Sequence, residues 1–539
     1  MKKLFLLVLL LLALCIPCEA AAPDKDIIIL YTNDIHCGVE DNIGYAGLAF
    51  FRNEMKKISP YVTVIDAGDW AQGGTIGAIS QGRYILEIMN AIGYEVAVPG
   101  NHEFDYGWSQ FENFSKNLKC GFISCNLRDL ATGQLVFEPY KILNYGKVKV
   151  AFVGICTPDA FVTSTPSTFM DDKGEYVYDF DGDVEGKKFC ATVQKAVDEA
   201  RKAGADFVIA VGHLGENGIN KKLRAEWTAP FVVANTKGID AFIDGHSHEI
   251  TPALKVKNLD GVEITITQTG TKLNNIGRMT INTSGEIKTE IINSVEGHDE
   301  KITALVNDIK NRYTDTLNEK LSYTSFDMRA MDDAGNWLVR NGETNLSNFV
   351  TDAIRDAASE TKTGKADITL YNGGGIRSNW TAGELTYNSA LSVFPFNNTV
   401  CIIEISGQTI LDALEMGAKA LPGNNGGFLQ VSGLTYTVDT RIPTSVQIDE
   451  KNKFIGISGE RRVKDVMVNG KPLDPEHKYS VIGTNFTLRE GGDGYVFSNA
   501  KVLEADFIIA TDALAHYMKK FPCVPERYRE VEHRIKIIK

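Results

Sequence analysis

Five apolar runs in the first half of the chain share one pattern: each is a strand-like segment followed at once by residue types that bind metals. The runs are 26–31, 61–65, 95–98, 206–211 and 240–243, with helical patterns such as 47–57 and 83–92 between them. Buried apolar strands alternating with helices predict an α/β architecture. In such folds ligands collect outside the carboxyl ends of the strands. The pattern therefore predicts a site built where these five strands end.

The histidines follow the same pattern. Five of the nine stand just after these runs, whereas the other four lie in polar, helical or terminal contexts. Carboxylates and an amide accompany them, so the run ends carry the ligand-type residues Asp34, His36, Asp69, Asn101, His102, His213, His246 and His248. Oxygen and imidazole donors together suit Zn²⁺, Mn²⁺, Co²⁺ or Fe²⁺ better than Ca²⁺. The set is too large for one ion and predicts two divalent metal ions, a standard device for phosphoryl hydrolysis.

Length and charge limit the domain count and the partners. A chain of 539 residues is too long for one hydrophobic core, so it predicts two domains or more. A formal net charge of −13 opposes binding to a nucleic-acid polymer, which needs clustered Lys and Arg. The net charge does not exclude a small anionic substrate if metal ions or a few arginines supply positive charge. We expect a small-molecule substrate, and the sequence indicates no obligate protein partner.

Residues 1–22 have the features of a secretory signal peptide. Lys2 and Lys3 precede the apolar run 4–14, and small residues follow at 20–22. The run is too short to span a membrane, and residues 532–539 are too polar for a carboxyl-terminal anchor. We therefore expect a periplasmic or secreted protein with no membrane anchor. Cleavage would leave seven cysteines, an odd number, of which Cys120 and Cys125 are close enough in sequence to pair.

The character of the chain changes between residues 293 and 321. Residues 301–317 are charged, have helical spacing and carry no catalytic cluster, which predicts a linker or bridging helix. The second region has its own predicted elements, with strands at 368–371, 400–405, 433–438 and 479–482 and helices at 347–358 and 408–418. The predicted organisation is a first domain at 23–296, a linker helix at 297–321 and a second domain at 322–539.

Three loops of the second region carry residues suited to binding a substrate. In Asn372-Gly-Gly-Gly-Ile-Arg377 an arginine lies beside flexible backbone, which suits a phosphate. Phe396 and Phe486 are aromatics in loops, and Asp493 lies in a glycine-rich turn suited to sugar hydroxyls. A simpler interpretation exists for each motif, because the glycines could form a plain turn and the aromatics could be core. For Phe394 we predict the core.

The first-domain motifs YTNDIH, GNHEFDYG and GHSH stand in an order and spacing that resembles the calcineurin-like metallophosphoesterases. More closely, the chain resembles the secreted 5′-nucleotidase family, which includes bacterial UDP-sugar hydrolases, since NGGG-x-R, PF-x-N, NF and GGDGY blocks follow in that family's order. The resemblance spans essentially the whole mature chain. It implies a four-layer αββα domain joined by a linker helix to a second α/β (α+β) domain that gives nucleotide specificity.

The resemblance also implies roles in the first domain. One metal ion would be held by Asp34, His36 and His248, and the other by Asn101, His213 and His246, with Asp69 bridging them. His102 would not be a ligand: it would face the scissile phosphate and protonate the leaving oxygen. Asp105, three residues on, lies on the same face of a helical turn and would orient His102, while Glu103 is predicted to be structural.

Cys37 departs from the family pattern, which has glycine or another small residue after the histidine. A thiol there could be a small filler, a soft extra ligand or an oxidation-sensitive position. We favour the filler.

In the second domain the resemblance implies the nucleotide contacts. Phe396 and Phe486 would sandwich the base, Asp493 would bind the ribose, and Asn372, Arg377 and Arg340 would contact base or phosphate. Asn398 is a further candidate for base recognition. The spacing from Phe486 to Asp493 is one residue longer than usual, which leaves the geometry of this clamp open. A hinge between the domains would bring the nucleotide's phosphate to the metals.

The leading interpretation is an exported dimetal phosphohydrolase that releases phosphate from 5′-nucleotides by metal-activated hydroxide attack, with UDP-sugar hydrolysis as a further activity. The alternative within the family is a 2′,3′-cyclic-nucleotide phosphodiesterase/3′-nucleotidase with different clamp residues. A sulfur-ester hydrolase would not need the Phe396/Phe486 pair. A non-catalytic nucleotide- or metal-binding protein would be expected to lack His102 or Asp69, and both are present.

Overall fold

The computed structural model describes residues 22–40, 42–164, 166–171, 175–216, 225–396, 398–497 and 500–539. The predicted signal peptide, apart from its last residue, lies outside this part. Within the residues described, no helix has the length and apolarity needed to cross a membrane.

The first region contains two β-sheets. Its strands are β1 (Ile27–Thr32), β2 (Val62–Asp66), β3 (Val96–Ala97), β4 (Arg128–Asp129), β5 (Tyr140–Tyr145), β6 (Val148–Ile155), β7 (Tyr178–Asp179), β8 (Phe207–Gly212), β9 (Ala241–Ile243), β10 (Ile250–Lys257), β11 (Glu263–Thr269), β12 (Ile276–Ile281) and β13 (Ile287–Ile292). One sheet has the order β13-β12-β1-β2-β3 and the other β10-β11-β9-β8-β6-β5. Strands β1 to β3 run parallel, and so do β6, β8 and β9.

The sheets stack face to face, with helices on their outer faces. The helices of this region are α1 (Gly44–Ile58), α2 (Gly74–Ser80), α3 (Arg83–Ile92), α4 (Trp108–Asn117), α5 (Ala160–Thr163), α6 (Lys187–Lys202) and α7 (Ala229–Ala234). Alternation along β8 separates the two faces, because Ile209 and Val211 join the core shared with β1, while Val208 and Ala210 pack with α6 and α7. Tyr31 Oη and Thr267 Oγ1 lie 2.6 Å apart and join the sheets. This confirms the predicted four-layer αββα architecture.

The helix predicted as a linker is docked on the first region. It is α8 (Glu300–Asn311), followed by the short α9 (Thr314–Leu317). The side chain of Asp299 caps it by accepting from two backbone N–H groups, and Ile302, Val306 and Ile309 are buried in the first region's core. A single apolar stripe therefore fixes this helix to α1 and α3. The exact domain boundaries remain predictions.

The second region is a mixed α/β domain, as predicted. Its strands are β14 (Lys320–Thr324), β15 (Ile368–Asn372), β16 (Gly383–Thr386), β17 (Thr399–Ser406), β18 (Leu429–Ser432), β19 (Leu434–Asp439), β20 (Val446–Ile448), β21 (Phe454–Ile457), β22 (Val463–Val468), β23 (Lys471–Pro472), β24 (Lys478–Thr484), β25 (Lys501–Ile509) and β26 (Ile535–Ile538). The helices are α10 (Asn345–Ala357), α11 (Tyr387–Val393), α12 (Gly407–Ala418), α13 (Asn485–Leu488) and α14 (Ala510–Lys519).

The main sheet of this domain is covered on both faces. Its order is β18-β15-β24-β17-β25, and a four-stranded sheet β23-β22-β19-β26 lies beside it. Along β17, Val400 and Ile402 face the core formed with α10 and α14, whereas Cys401 and Ile403 face the core formed with α12. Most of the predicted substrate-binding residues lie in the segments after β15 and β24 and in the segment just before β17.

Candidate active site and metal centre

The five predicted strand ends meet in one place. The first three strands belong to one sheet and the last two to the other, so the site lies where the carboxyl ends of both sheets come together. The residues delivered there are Asp34 and His36 after β1, Asp69 after β2, Asn101 and His102 after β3, His213 after β8, and His246 and His248 after β9.

One group of ligand atoms comes from Asp34, His36, Asp69 and His248, and these atoms all lie within 4.8 Å of one another. The Nε2 atoms of His36 and His248 are 3.0 Å apart, and His248 Nε2 is 3.3 Å from Asp34 Oδ1. His36 Nε2 is 3.7 Å from Asp69 Oδ2. Such spacing of nitrogen and carboxylate oxygen atoms is suited to a shared cation.

A second group comes from Asp69, His213 and His246, so Asp69 belongs to both groups. His213 Nε2 is 3.0 Å from Asp69 Oδ2. Asn101 donates from Nδ2 to the carbonyl oxygen of Thr163 at 3.4 Å, which leaves its Oδ1 as a buried acceptor.

These residues fit divalent metal ions on chemical grounds. Asn101 Oδ1 and His246 Nε2 are buried without a hydrogen-bond partner among the residues described. A buried polar atom without a partner is costly, and coordination of a cation supplies the missing interaction. The other ring nitrogens are anchored, because His213 Nδ1 lies 2.7 Å from the carbonyl of Ala67 and His36 Nδ1 lies 3.1 Å from that of Gln72. Those contacts leave Nε2 free to bind.

Several residues of the site share an unfavourable backbone conformation. Five of the ligand-type residues adopt the left-handed conformation: Asp34, His36, Asp69, His246 and His248 have φ between 44° and 79°. Non-glycine residues rarely occupy this region, and clusters of them mark functional sites. Glycine is required next to them, since a Cβ on Gly68 would lie 2.6 Å from the backbone nitrogen of Gly100.

Glu103 holds the loops after β2 and β3 together. Its Oε2 accepts from the backbone N–H of Asp69 and Gly100 at 2.8 and 2.7 Å. Its Oε1 accepts from those of Trp70 and Ala71 at 2.8 and 3.0 Å. Burial and the nearby charge of Asp69 raise the pKa of Glu103 to about 7. The partners of Glu103 were not predictable from the sequence, because backbone N–H groups carry no sequence signal.

His102 and Asp105 form a dyad beside the two groups. A single 3-10 turn, His102–Phe104, places His102 Nδ1 2.6 Å from Asp105 Oδ2. Burial would lower the pKa of His102, but the carboxylates of Asp105 and Asp69 outweigh it and raise the pKa above its usual range. Ser164 donates to the other oxygen of Asp105 at 3.1 Å, a contact the sequence did not predict. His102 is in neither group of ligand atoms.

Two residues of the second domain reach this site. The ring of Phe396 has its centroid 6.3 Å from that of His102, and Arg377 Cζ lies 5.7 Å from the Phe396 centroid. Burial lowers the pKa of Arg377, while Asp105 and Asp69 act in the opposite direction. The structure therefore brings Phe396 and Arg377 together with the dyad.

The remaining predicted substrate-binding residues lie in loops of the second domain. Asn372 donates from Nδ2 to Asp493 Oδ2 at 2.8 Å, and Asp493 has the left-handed φ of 56°. The ring of Phe486 packs on Gly492 so closely that any Cβ there would overlap it. Asn398 accepts from the backbone N–H of Ala510 through its own carbonyl oxygen. Phe394 is buried and stacks on Tyr371 at 4.8 Å between centroids.

All seven cysteines in the described part of the chain are free thiols, so Cys120 and Cys125 are not paired. Cys37 is buried, and its Sγ lies 3.5 Å from the carbonyl oxygens of Trp70 and Ala71. Burial raises its pKa above the usual range for a thiol. A neutral thiol directed at backbone carbonyls fits the small-filler prediction.

Two protein-family models match the chain, one for each half. Residues 27–249 match the model of the calcineurin-like phosphoesterases, and residues 325–499 match that of the 5′-nucleotidase C-terminal domain.

Similar proteins cover nearly the whole chain. The trifunctional nucleotide phosphoesterase protein YfkN of Bacillus subtilis is 28% identical over 94% of this chain, which spans only 35% of that longer protein. The snake venom 5′-nucleotidase of Gloydius brevicauda is 25% identical over 95% of this chain and 90% of its own length. A 5′-nucleotidase precursor from Thermus thermophilus has the same fold, with a TM-score of 0.76 at 24% identity over 95% of this chain and 99% of that chain. Residues 27–249 therefore belong to the calcineurin-like phosphoesterases and residues 325–499 to the 5′-nucleotidase C-terminal domains, and the chain is a hydrolase of phosphoric ester bonds.

Proposed function

We propose that this protein releases phosphate from 5′-nucleotides. The observation that supports this best is the position of Phe396 and Arg377, which project from the second domain to the His102–Asp105 dyad of the first. An aromatic ring and a guanidinium beside a phosphoesterase site offer a nucleobase and a phosphate the contacts each of them needs.

We propose two divalent ions, bound as the two groups of ligand atoms indicate. Asp34, His36 and His248 would hold one and Asn101, His213 and His246 the other, with Asp69 between them. When bound, such ions act as Lewis acids that polarise the phosphoryl group and make water a better nucleophile at neutral pH. Four imidazoles and two carboxylates fit Zn²⁺, Mn²⁺, Co²⁺ or Fe²⁺.

In this proposal His102 acts on the phosphate and the leaving oxygen. Its Nδ1 faces Asp105 at 2.6 Å, so that carboxylate fixes the tautomer and leaves Nε2 for the substrate. A protonated ring, which the carboxylate of Asp105 favours, stabilises charge that develops on the phosphoryl oxygens. It then gives its proton to the departing nucleoside oxygen.

The second domain would recognise the nucleoside. Phe396 and Phe486 would stack on the base, and Asp493, held by Asn372, would accept from ribose hydroxyls. Arg377 and Arg340 would face the phosphate, and Asn398 would contact the base. The clamp implies a substrate with a planar base, which favours nucleotides over simple phosphate esters.

The substrate class is tested by a panel of three compounds. With Mn²⁺ or Zn²⁺ added, we expect phosphate release from AMP, weaker turnover of UDP-glucose, and the weakest turnover of 2′,3′-cyclic AMP. The measurement is release of phosphate and adenosine from AMP, of UMP and glucose 1-phosphate from UDP-glucose, and of adenosine monophosphate from the cyclic nucleotide, with chelated protein as the control. Turnover of the cyclic nucleotide above AMP would favour the 3′-nucleotidase alternative, and silence on all three with metals loaded would refute the proposal.

We further propose that the protein is exported, with residues 1–22 as its signal peptide. The charged start, the short apolar run and the small residues at 20–22 support this. Amino-terminal sequencing of the protein from its native host would check the cleavage point, and retention of Met1 in the mature protein would contradict it.

The contacts between the two domains support closure over the substrate. Helix α2 packs on α11, and α5 packs on the turn Gly492–Gly494. Lys451 Nζ, from the loop between β20 and β21, lies 3.9 Å from the ring centroid of Tyr176 and 4.4 Å from that of Phe161. Since α8 is docked on the first domain, a hinge would have to lie after Asn311.

A reversible crosslink tests this hinge. In a Cys523→Ser background, which removes an exposed thiol, Tyr176→Cys and Lys451→Cys would be joined by a reducible bismaleimide. We expect the crosslinked protein to keep its metals and lose most multiple turnover, because substrate entry and product release need opening. Reductive cleavage of the crosslink should restore turnover. The singly substituted variants treated with the same reagent are the controls. Undiminished turnover in the crosslinked protein would refute the proposed hinge.

A further inference from the structure

Trp337 is half-buried in the second domain and lies against two arginines that both belong to the proposed substrate site. Arg340 Cζ lies over its ring, 4.3 Å from the centroid, and Arg377 Cζ lies over the same indole at 5.3 Å. Arg377 is also over Phe396. Two cations beside one aromatic ring repel each other, so the arrangement has a cost unless an anion lies between them.

These two arginines have no ion-pair partner among the residues described. Among the residues described, the carboxylate of Asp493 acts on Arg340, and those of Asp105 and Asp69 act on Arg377 through charge alone. Arg340 Nε is buried and makes no hydrogen bond in the same part of the chain. Burial and the charge of Arg377 lower the pKa of Arg340. Two half-buried positive charges without a counter-ion form a site that is incomplete until an anion binds.

The backbone around Trp337 is held firmly. Trp337 forms an isolated bridge with Met331, and the 3-10 turn Leu338–Arg340 follows it directly. The carbonyl of Arg340 accepts from the backbone N–H of Asn425 at 2.9 Å. A Cβ on Gly373 would overlap the carbonyl of Val339, so the glycine loop after β15 packs tightly on this turn. The backbone that carries the indole is therefore held by contacts other than the two arginines, and the ring packs against the core of the domain.

We propose that Trp337 is a positioning residue for the substrate's phosphate: its ring holds Arg340 and Arg377 side by side, with their charges unneutralised, until the anion arrives. This rests on the proposed function, because it assigns the two guanidiniums to the phosphate rather than to the base. An aromatic face attracts a guanidinium without neutralising it, whereas a carboxylate in the same place would compete with the substrate. Trp337 thus keeps two like charges close at a site that must bind a dianion.

The test uses the metal-loaded full chain with Trp337→Leu and Trp337→Phe. Inorganic phosphate and a free nucleoside are titrated separately by calorimetry, since phosphate binds at the metals and the arginines and the nucleoside binds at the aromatic clamp. We expect Trp337→Leu to weaken phosphate binding by about tenfold, as loss of two cation–π contacts implies, and to leave nucleoside binding within about twofold. KM for AMP should rise by a similar factor with kcat little changed, and Trp337→Phe should recover most of the loss.

Two controls separate positioning from structure. Trp380→Phe removes an indole of the same domain whose Nε1 donates to the Ser389 carbonyl, away from the two arginines, and should leave phosphate binding unchanged. In the native protein, phosphate should alter indole fluorescence, and Trp337→Phe should abolish that change while keeping the melting temperature.

Equal losses of phosphate and nucleoside binding would overturn the proposal by placing Trp337 in the base pocket. Unchanged phosphate binding in both variants would also overturn it. Phosphate binding that weakens as expected in a protein unable to hydrolyse AMP would refute the proposed function alone, so the two failures are distinguishable.

Discussion

Replacing His102 with alanine is expected to lower nucleotide turnover by about 10²–10⁴-fold, the range typical of a group that transfers a proton in the transition state. The imidazole is absent from both groups of ligand atoms, and its Nδ1 is held by Asp105. Its loss should therefore remove charge stabilisation and proton donation while leaving the metal content as it is. Turnover under saturating substrate and bound metal by elemental analysis are the two measurements.

Asp105→Asn is a milder change to the same dyad. The amide keeps the size of the side chain but cannot favour the protonated ring, so we expect a smaller fall in turnover than for His102→Ala. Exposed His477→Ala is the matched control and should change nothing. If His102→Ala lost its metals, His102 would be a ligand; if it kept near-native turnover, another group would be the proton donor.

The dyad was predictable from sequence because it is local. His102 and Asp105 lie three residues apart, and a single turn brings such side chains together whatever the rest of the chain does. The strands were predictable for a similar reason: β1, β2, β8 and β9 each lie within one residue of a predicted apolar run. Periodicity and burial act along the chain, so the sequence carries their signal directly.

The convergence of the strand ends was only partly predictable from the sequence. Apolar runs ending in ligand-type residues predict a shared site, but they do not say that β1 and β8 belong to different sheets. That division depends on the strands β10 to β13 and on the β5–β6 hairpin, and none of these were predicted. Long-range pairing is decided by packing of the whole domain, which single-sequence patterns do not encode.

Trp337 and Glu103 show that long-range contacts of single side chains are equally hard to predict from the sequence. Trp337 matters through two arginines, one of which is forty residues away, and nothing in its local sequence marks it. Glu103 lies inside the predicted motif, yet all four of its partners are backbone N–H groups. Residue types at the partner positions are irrelevant to such bonds, so no pattern of residue types could reveal them.

Glu103→Ala is accordingly expected to be among the most damaging single substitutions in the first domain. It would leave four buried N–H groups without an acceptor, at about 1 kcal/mol or more each, for a total loss of about 4 kcal/mol. We expect the melting temperature of the first domain to fall by roughly 10 °C. Differential scanning calorimetry of the full chain would measure it.

The same substitution should weaken metal binding, because Glu103 supports the backbone of Asp69 and of Gly100, which precedes Asn101. Groups that orient metal ligands are typically worth about 10–100-fold in affinity, so a loss in that range is expected by competition with a chelator. Glu103→Gln keeps one accepting oxygen and should show about half the thermal effect. Glu112→Ala, an exposed carboxylate on α4, is the matched control. A melting temperature within about 2 °C of the native value for Glu103→Ala would mean that the loops after β2 and β3 keep their geometry without Glu103.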